Sequence, residues 1–285
     1  MNPISDILKD IVDRAAEANP RKDGDYIGEN GLLMCGKCHT PKECIVPFGG
    51  EKKKFPCICA CEKKRIEDEK LAMKRQQEMN YIAKLKKDSL MDDKFAFSTF
   101  SNTEETPDNK RQLAICKRYA EKFDELLEKN QGLLLYGSVG TGKTHLACCI
   151  GNALMDRMYP VFATSLVKIV QRSRSAKGDD DEEAFLRRMN TAKLLILDDL
   201  GAERSTEYAL EIVYNVIDSR YRSGKPMIVT TNLSMNEMQR ATDIRYRRIY
   251  DRIFEVCYPV EFTGTSWRMQ EAASRYDEMA KFLEE

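Results

Sequence analysis

Apolar positions recur along the chain with two different periods. Ile4, Ile7, Leu8, Ile11 and Val12 fall at helical spacing and predict an amphipathic helix over residues 3–18, stopped by Asn19-Pro20. Residues 28–62 mix glycine, proline, lysine and cysteine with too few apolar side chains to build a core of their own. Residues 62–90 read as a helix crowded with charge, whose stripe (Ile66, Met73, Ile82, Leu85) is thin; a solvated connector is the plain reading. Phe95, Phe97 and Phe100 then alternate in a short extended segment, followed by a polar stretch over 101–108. A further helix over 109–129 gathers Leu113, Cys116, Tyr119, Phe123 and Leu126 on one side.

Beyond that helix the period changes. Short apolar runs at 132–136, 161–164, 193–197 and 227–231 predict four strands with helical stretches between them. Strands joined by helices are βα crossovers, so the expected fold class is α/β, with a mostly parallel sheet flanked by helices. The boundaries this implies are 1–62 for a small helix and cysteine module, 63–94 for a helical linker and 95–285 for the α/β domain.

Composition narrows the picture little. The 46 basic and 46 acidic residues cancel, so any basic surface is local. No apolar run approaches a membrane span and the N-terminus lacks a secretory layout, which gives the expectation of a cytoplasmic protein without a membrane partner. The ten cysteines change more. Cys35-Gly-Lys-Cys38 is a CxxC knuckle, and Cys57, Cys59 and Cys61 follow about twenty residues later. In a chain without a secretion signal such pairs point to a structural Zn²⁺ rather than disulfides. Cys35 and Cys38 are fixed members, any two of Cys57, Cys59 and Cys61 complete four, and His39 and Cys44 are less well spaced substitutes.

The strongest chemical signal is Gly137-Ser138-Val139-Gly140-Thr141-Gly142-Lys143-Thr144, which fits GxxxxGK[ST] between a strand and a helix. Glycines let the backbone wrap phosphates, and the helix N-terminus directs partial positive charge at them. Lys143 is placed for the β and γ phosphates of ATP, and the Thr144 hydroxyl for Mg²⁺. The apolar run 194–197 ends in Asp198-Asp199, where Asp198 would hold Mg²⁺ and Asp199 would polarise an attacking water. Asn232, after the next strand, is the candidate sensor of the γ phosphate. Arg252 and Arg268 are candidates for contacting a γ phosphate, and on residue type alone each equally suits a surface salt bridge.

In this order the phosphate loop, Leu197-Asp-Asp-Leu-Gly201, Ser223 to Asn232, Arg252 and Arg268 resemble the AAA+ ATPases of the bacterial helicase-loader group (the DnaC and DnaI type) and the IstB transposition helpers, over roughly residues 95–275. The resemblance implies an AAA+ ATPase with Arg252 at the arginine-finger position and Arg268 at the sensor-2 position. It also implies self-association through the ATPase interface, a hexameric replicative DNA helicase as partner, and single-stranded DNA as ligand. Loading that helicase in replication initiation is the expected function; an IstB-like helper of a DNA transposase is the alternative. Arg172, Arg174 and Lys177, within 171–183, fall where such proteins contact DNA, although the acids that follow oppose it. A small-molecule kinase and an adaptor with a degenerate ATPase complete the readings.

Overall fold

The computed structural model describes residues 21–48, 51–88, 97–175, 185–187, 189–202 and 206–284. The helix expected over 3–18, Phe95 and residues 176–183 lie outside the described residues. The chain forms two compact units, Met1–Gln77 and Glu78–Glu285.

In the first unit, β1 (Tyr26–Ile27) pairs antiparallel with β2 (Leu33–Met34), and β3 (Glu43–Phe48) with β4 (Glu51–Pro56). Among its described residues only Leu32, Cys35 and Cys59 of the apolar side chains are buried, so cross-links other than hydrophobic burial must hold it. One is polar: Lys42 and Asp25 form a buried ion pair at 2.7 Å. Asp25 also accepts from the amides of Lys22 and Gly36, which holds its carboxyl well below the usual range. Helix α1 (Ala60–Asp88) begins among the cysteines. Its Leu71 and Met73 are exposed, whereas Ile82 and Leu85 are buried, Leu85 within the core of the second unit, so its last turns are packed and not the solvated connector expected over the whole stretch.

The second unit contains α2 (Lys110–Glu121), α3 (Phe123–Glu128), β5 (Gly132–Gly137), α4 (Lys143–Asp156), β6 (Val161–Ser165), α5 (Leu166–Ser175), β7 (Leu194–Leu200), α6 (Glu207–Arg222), β8 (Met227–Thr231), α7 (Met235–Gln239), α8 (Ile244–Val256), β9 (Cys257–Phe262) and α9 (Trp267–Glu284). Five strands form one parallel sheet in the order β6-β7-β8-β5-β9. Alternate residues face opposite layers. Leu134, Leu195, Leu197, Met227 and Val229 join a core with α5, α6 and α8, while Leu133, Leu135, Leu194, Ile196 and Ile228 join another with α2 and α4. Each fully buried Leu of this kind contributes about 2 kcal/mol of transfer free energy.

Three features depart from the expected pattern. The helix expected over 109–129 breaks at Lys122 into α2 and α3. Phe97 to Asn102 form a turn rather than an extended segment, because Asn102 accepts from the Thr99 amide and donates to the Phe97 carbonyl. A fifth strand, β9, follows α8 with no intervening loop; its edge position tolerates Pro259, which conceals it from a reading of periodicity.

The sheet order sets the site. β5, β8 and β7 are adjacent, so the loops leaving their carboxyl ends meet at one edge, where open α/β sheets bind ligands. At the opposite ends of β7 and β8 sits Arg220, fully buried on α6. Its guanidinium donates to the carbonyls of Met189, Ala192, Lys193 and Pro226, at 2.6 to 3.3 Å.

Candidate functional site

The phosphate loop takes its shape from glycines in conformations other residues rarely adopt. Gly137 has φ +125°, and a Cβ there would lie 2.2 Å from the Phe262 carbonyl oxygen. Gly142, at φ +94°, precedes the first turn of α4. The loop is tied to the following elements: the Ser138 amide donates to Phe262 O at 3.2 Å and the Trp267 amide to Gly140 O at 3.0 Å. Thr141 Oγ1 closes it by donating to Ser138 O at 2.8 Å. Lys143 is buried and donates to the carbonyls of Gly137 (2.9 Å) and Ser138 (2.6 Å), with burial lowering its pKa.

The acid pair sits in an irregularity of β7. The β7–β8 register shifts between Leu197 and Leu200, and Asp199 takes φ +63°, left-handed for a non-glycine residue. Asp198 Oδ1 accepts from Thr144 Oγ1 at 2.7 Å and from Thr230 Oγ1 at 2.6 Å. Burial pushes the Asp198 carboxyl up, and those two hydroxyls oppose the shift. The Asp199 amide donates to Thr230 Oγ1 at 3.0 Å, and Asn232 Nδ2 donates to Asp199 Oδ1 at 3.0 Å. Thr144, Asp198, Thr230, Asp199 and Asn232 are thus one hydrogen-bonded chain across three elements. Thr230 is the member that sequence reading passed over; it was hidden in the Thr230-Thr231-Asn232 run, where only Asn232 stands beyond the strand.

Thr144, Asp198, Asp199 and Asn232 line a cavity of about 660 Å³ that also includes Gly140, Gly142, Lys143 and Arg268, while Thr230 lies buried behind them. Arg268 therefore lies at the cleft of its own protomer. Arg252 does not line it. Its guanidinium lies on α8 and donates to Asp218 Oδ1 at 2.8 Å, Tyr214 Oη at 3.0 Å and Arg248 O at 3.0 Å, with its carbon 4.9 Å from the centre of the Tyr214 ring. The arginines considered for DNA also rest on aromatic rings, Arg172 over Phe185 at 4.8 Å and Arg174 over Tyr208 at 5.5 Å. Lys177 lies outside the described residues.

In the first unit, the Sγ atoms of Cys35, Cys38, Cys59 and Cys61 all lie within 4.8 Å of one another. Cys35–Cys61 and Cys59–Cys61 approach to 3.6 and 3.4 Å. A tetrahedron of thiolates around zinc has edges of about 3.8 Å, so this donor set fits a soft tetrahedral ion. Cys57 stands outside the four; its Sγ faces Pro41 O at 3.5 Å. Cys44 and His39 are also outside, and His39 contacts Tyr26 Oη through Nδ1. The knuckle turns through Cys35 N to Thr40 O and His39 N to Cys35 O, both 2.9 Å. Thr40 Oγ1 is within 3.1 Å of Cys38 Sγ and accepts from the Ala60 amide; hydrogen bonding, led by Thr40, draws the Cys38 thiol down to about 5.

A five-stranded parallel sheet, a phosphate loop between β5 and α4, and an acid pair on the strand two places away define an AAA+ P-loop domain. The chain belongs to the IstB-like ATP binding protein family, whose model matches residues 63–275. It is 27% identical over 150 residues to the replicative helicase loader DnaI of Bacillus subtilis, covering 49% of this chain and 48% of that protein. It is 29% identical over 143 residues to the replicative helicase loader DnaC of Escherichia coli K12, covering 50% and 56%. A putative insertion sequence ATP-binding protein of Sinorhizobium fredii matches at 31% over 117 residues, 41% of this chain and 39% of that one. The chain thus spans about half the length of the helicase loaders it matches. Crystal structures of DnaI and the DnaC helicase loader share the fold, with TM-scores of 0.51 and 0.52 at 24% and 22% identity. They cover 62% and 60% of this chain and 93% and 100% of theirs. Among the described residues no helix is long and apolar enough to cross a membrane.

Proposed function

We propose that this chain is an ATP-dependent loader of a hexameric replicative DNA helicase onto single-stranded DNA, an AAA+ switch acting in the cytoplasm at replication initiation. What carries the reading is the bonded series Thr144–Asp198–Thr230–Asp199–Asn232 inside a domain whose sequence relatives include two helicase loaders. In this reading Lys143 exchanges its loop carbonyls for the β and γ phosphates, and Asp199 holds the attacking water with Asn232 fixing the carboxylate. Thr144 and Asp198 would hold Mg²⁺, which neutralises phosphate charge when bound; a buried carboxylate already gathering two hydroxyls suits a cation. Arg268 serves the same cleft in cis. Arg252, remote from its own cleft, acts on a neighbouring subunit as an arginine finger, and its contact with Asp218 is what that exchange must break.

Zn²⁺ at Cys35, Cys38, Cys59 and Cys61 would hold residues 1–62 as the module that grips the helicase, with 63–94 as linker and 95–285 as the ATPase. Arg172 and Arg174 are the proposed contacts to single-stranded DNA. A second reading, an IstB-like ATPase helper of a DNA transposase, is favoured by the matching family model and by the insertion-sequence relative. Co-purification of the full chain with a hexameric helicase or with a transposase separates the two. The loader reading expects ATP-dependent capture of the helicase that is lost without residues 1–62; capture of the transposase alone reverses it.

A further inference from the structure

The phosphate loop, the acid pair, Asn232 and Arg268 occupy the part of the cleft that fits a triphosphate. The same cavity is also lined by Phe97, Asn102, Thr103, Glu104 and Asn109, which carry no phosphate-binding chemistry. The polar side chains there are largely committed to the turn itself. Asn102 bonds the Phe97 carbonyl and the Thr99 amide. Asn109 donates to Glu104 O and accepts from the Thr106 amide, each near 2.8 to 2.9 Å. Thr103 Oγ1 donates to Thr99 O at 2.8 Å and faces His145 Nε2 at 2.9 Å, so the imidazole presents Nε2–H to it. Asn152 Nδ2 donates to Ser98 O at 2.8 Å, fixing the turn to α4.

The result is a rigid turn that holds up one aromatic ring. Phe97 is 77% exposed while the next residue, Ser98, is 4% exposed. A bare phenyl ring in water beside a triphosphate site has an unfilled face that a flat heteroaromatic would cover. We infer that Phe97 is the stacking platform for the nucleobase, with the Glu104 carboxylate left to accept from ribose hydroxyls. Recognition at this end therefore rests on the ring face rather than on side chains reading the base edge. The inference deepens the nucleotide-binding reading and depends on it.

The chain's single tryptophan, Trp267, lines the same cleft and reports on binding without a label. The experiment titrates ATP and inorganic tripolyphosphate, each with Mg²⁺, into the full chain, Phe97→Ala and Phe97→Trp, using fluorescence for the first two and calorimetry for all three. Stacking of one base on an aromatic ring is worth about 1–3 kcal/mol, so Phe97→Ala should weaken ATP roughly tenfold and leave tripolyphosphate unchanged, while Phe97→Trp keeps ATP affinity. An exposed ring predicts the same Tm for all three proteins. Unchanged ATP affinity in Phe97→Ala, or an equal loss for tripolyphosphate, overturns the assignment. Wild-type chain that binds neither ligand overturns both this assignment and the nucleotide-binding reading beneath it.

Discussion

Replacing Arg220 by Met should weaken the ATPase domain without touching its cleft. The guanidinium is fully buried and has no carboxylate partner among the described residues; its donors go to four backbone carbonyls. Burial draws its pKa down to about 9, so the cation carries a real desolvation cost that a neutral side chain would remove. Against that, Met fills a similar volume but leaves the carbonyls of Met189, Ala192 and Lys193 without this donor. Pro226 O keeps the Leu195 amide, at 3.4 Å. Orphaned buried acceptors cost about 1–3 kcal/mol each, so loss of the fork outweighs relief of the charge and leaves a net destabilisation of about 3 kcal/mol. In a domain of this size that is a fall in Tm of roughly 6–12 °C. Lys193 and Pro226 directly precede β7 and β8, the strands that deliver Asp198, Asp199 and Thr230, so hydrolysis should become heat-sensitive in parallel. Calorimetric and chemical unfolding of Arg220→Met beside wild type measures the effect. A loss of less than 1 kcal/mol would mean that the carbonyls are satisfied without the fork, and the reasoning would be wrong.

Zinc content should distinguish the cysteines: near-stoichiometric metal in wild type and Cys57→Ser, and loss of most of it in Cys59→Ser, read by metal analysis of purified protein. Asp25→Asn, which loosens the Gly36 amide within the knuckle, should weaken zinc affinity about ten- to hundredfold in a chelator competition. Asn232→Ala should lower steady-state hydrolysis about a hundredfold with ATP affinity unchanged, since Asn232 bonds Asp199 rather than the phosphate loop; an equal fall in affinity would contradict that placement. Arg252→Ala and Lys143→Ala should each be inactive in hydrolysis, and a mixture of the two should regain activity if the arginine serves a neighbour; a mixture as inactive as its parts refutes action in trans.

Much of the cleft was legible because its chemistry is local in sequence. A glycine loop between a strand and a helix, and two acids at the end of an apolar strand, declare themselves by residue type and spacing. Which thiols converge was not legible. Cys57 and Cys59 are two residues apart, and only the fold turns one toward Cys35 and the other toward Pro41. Arg220 was invisible for a related reason: its partners are backbone carbonyls 6 to 31 residues away, which leave no trace in side-chain identity. β9 was missed because its pattern is interrupted by Pro259 and abuts a helix. Arg252 shows another limit: the sequence singled it out as a candidate phosphate contact but gave no sign of its bonds to Asp218 and Tyr214 outside the cleft.

The central claim is that nucleotide at this cleft drives a ring helicase onto DNA. Its most direct measurement counts helicase hexamers retained on closed single-stranded DNA circles after incubation with the full chain and ATP. Retention should rise with wild type and stay at the background level with Lys143→Ala. Equal retention without the chain, or with Lys143→Ala in its place, would contradict the account.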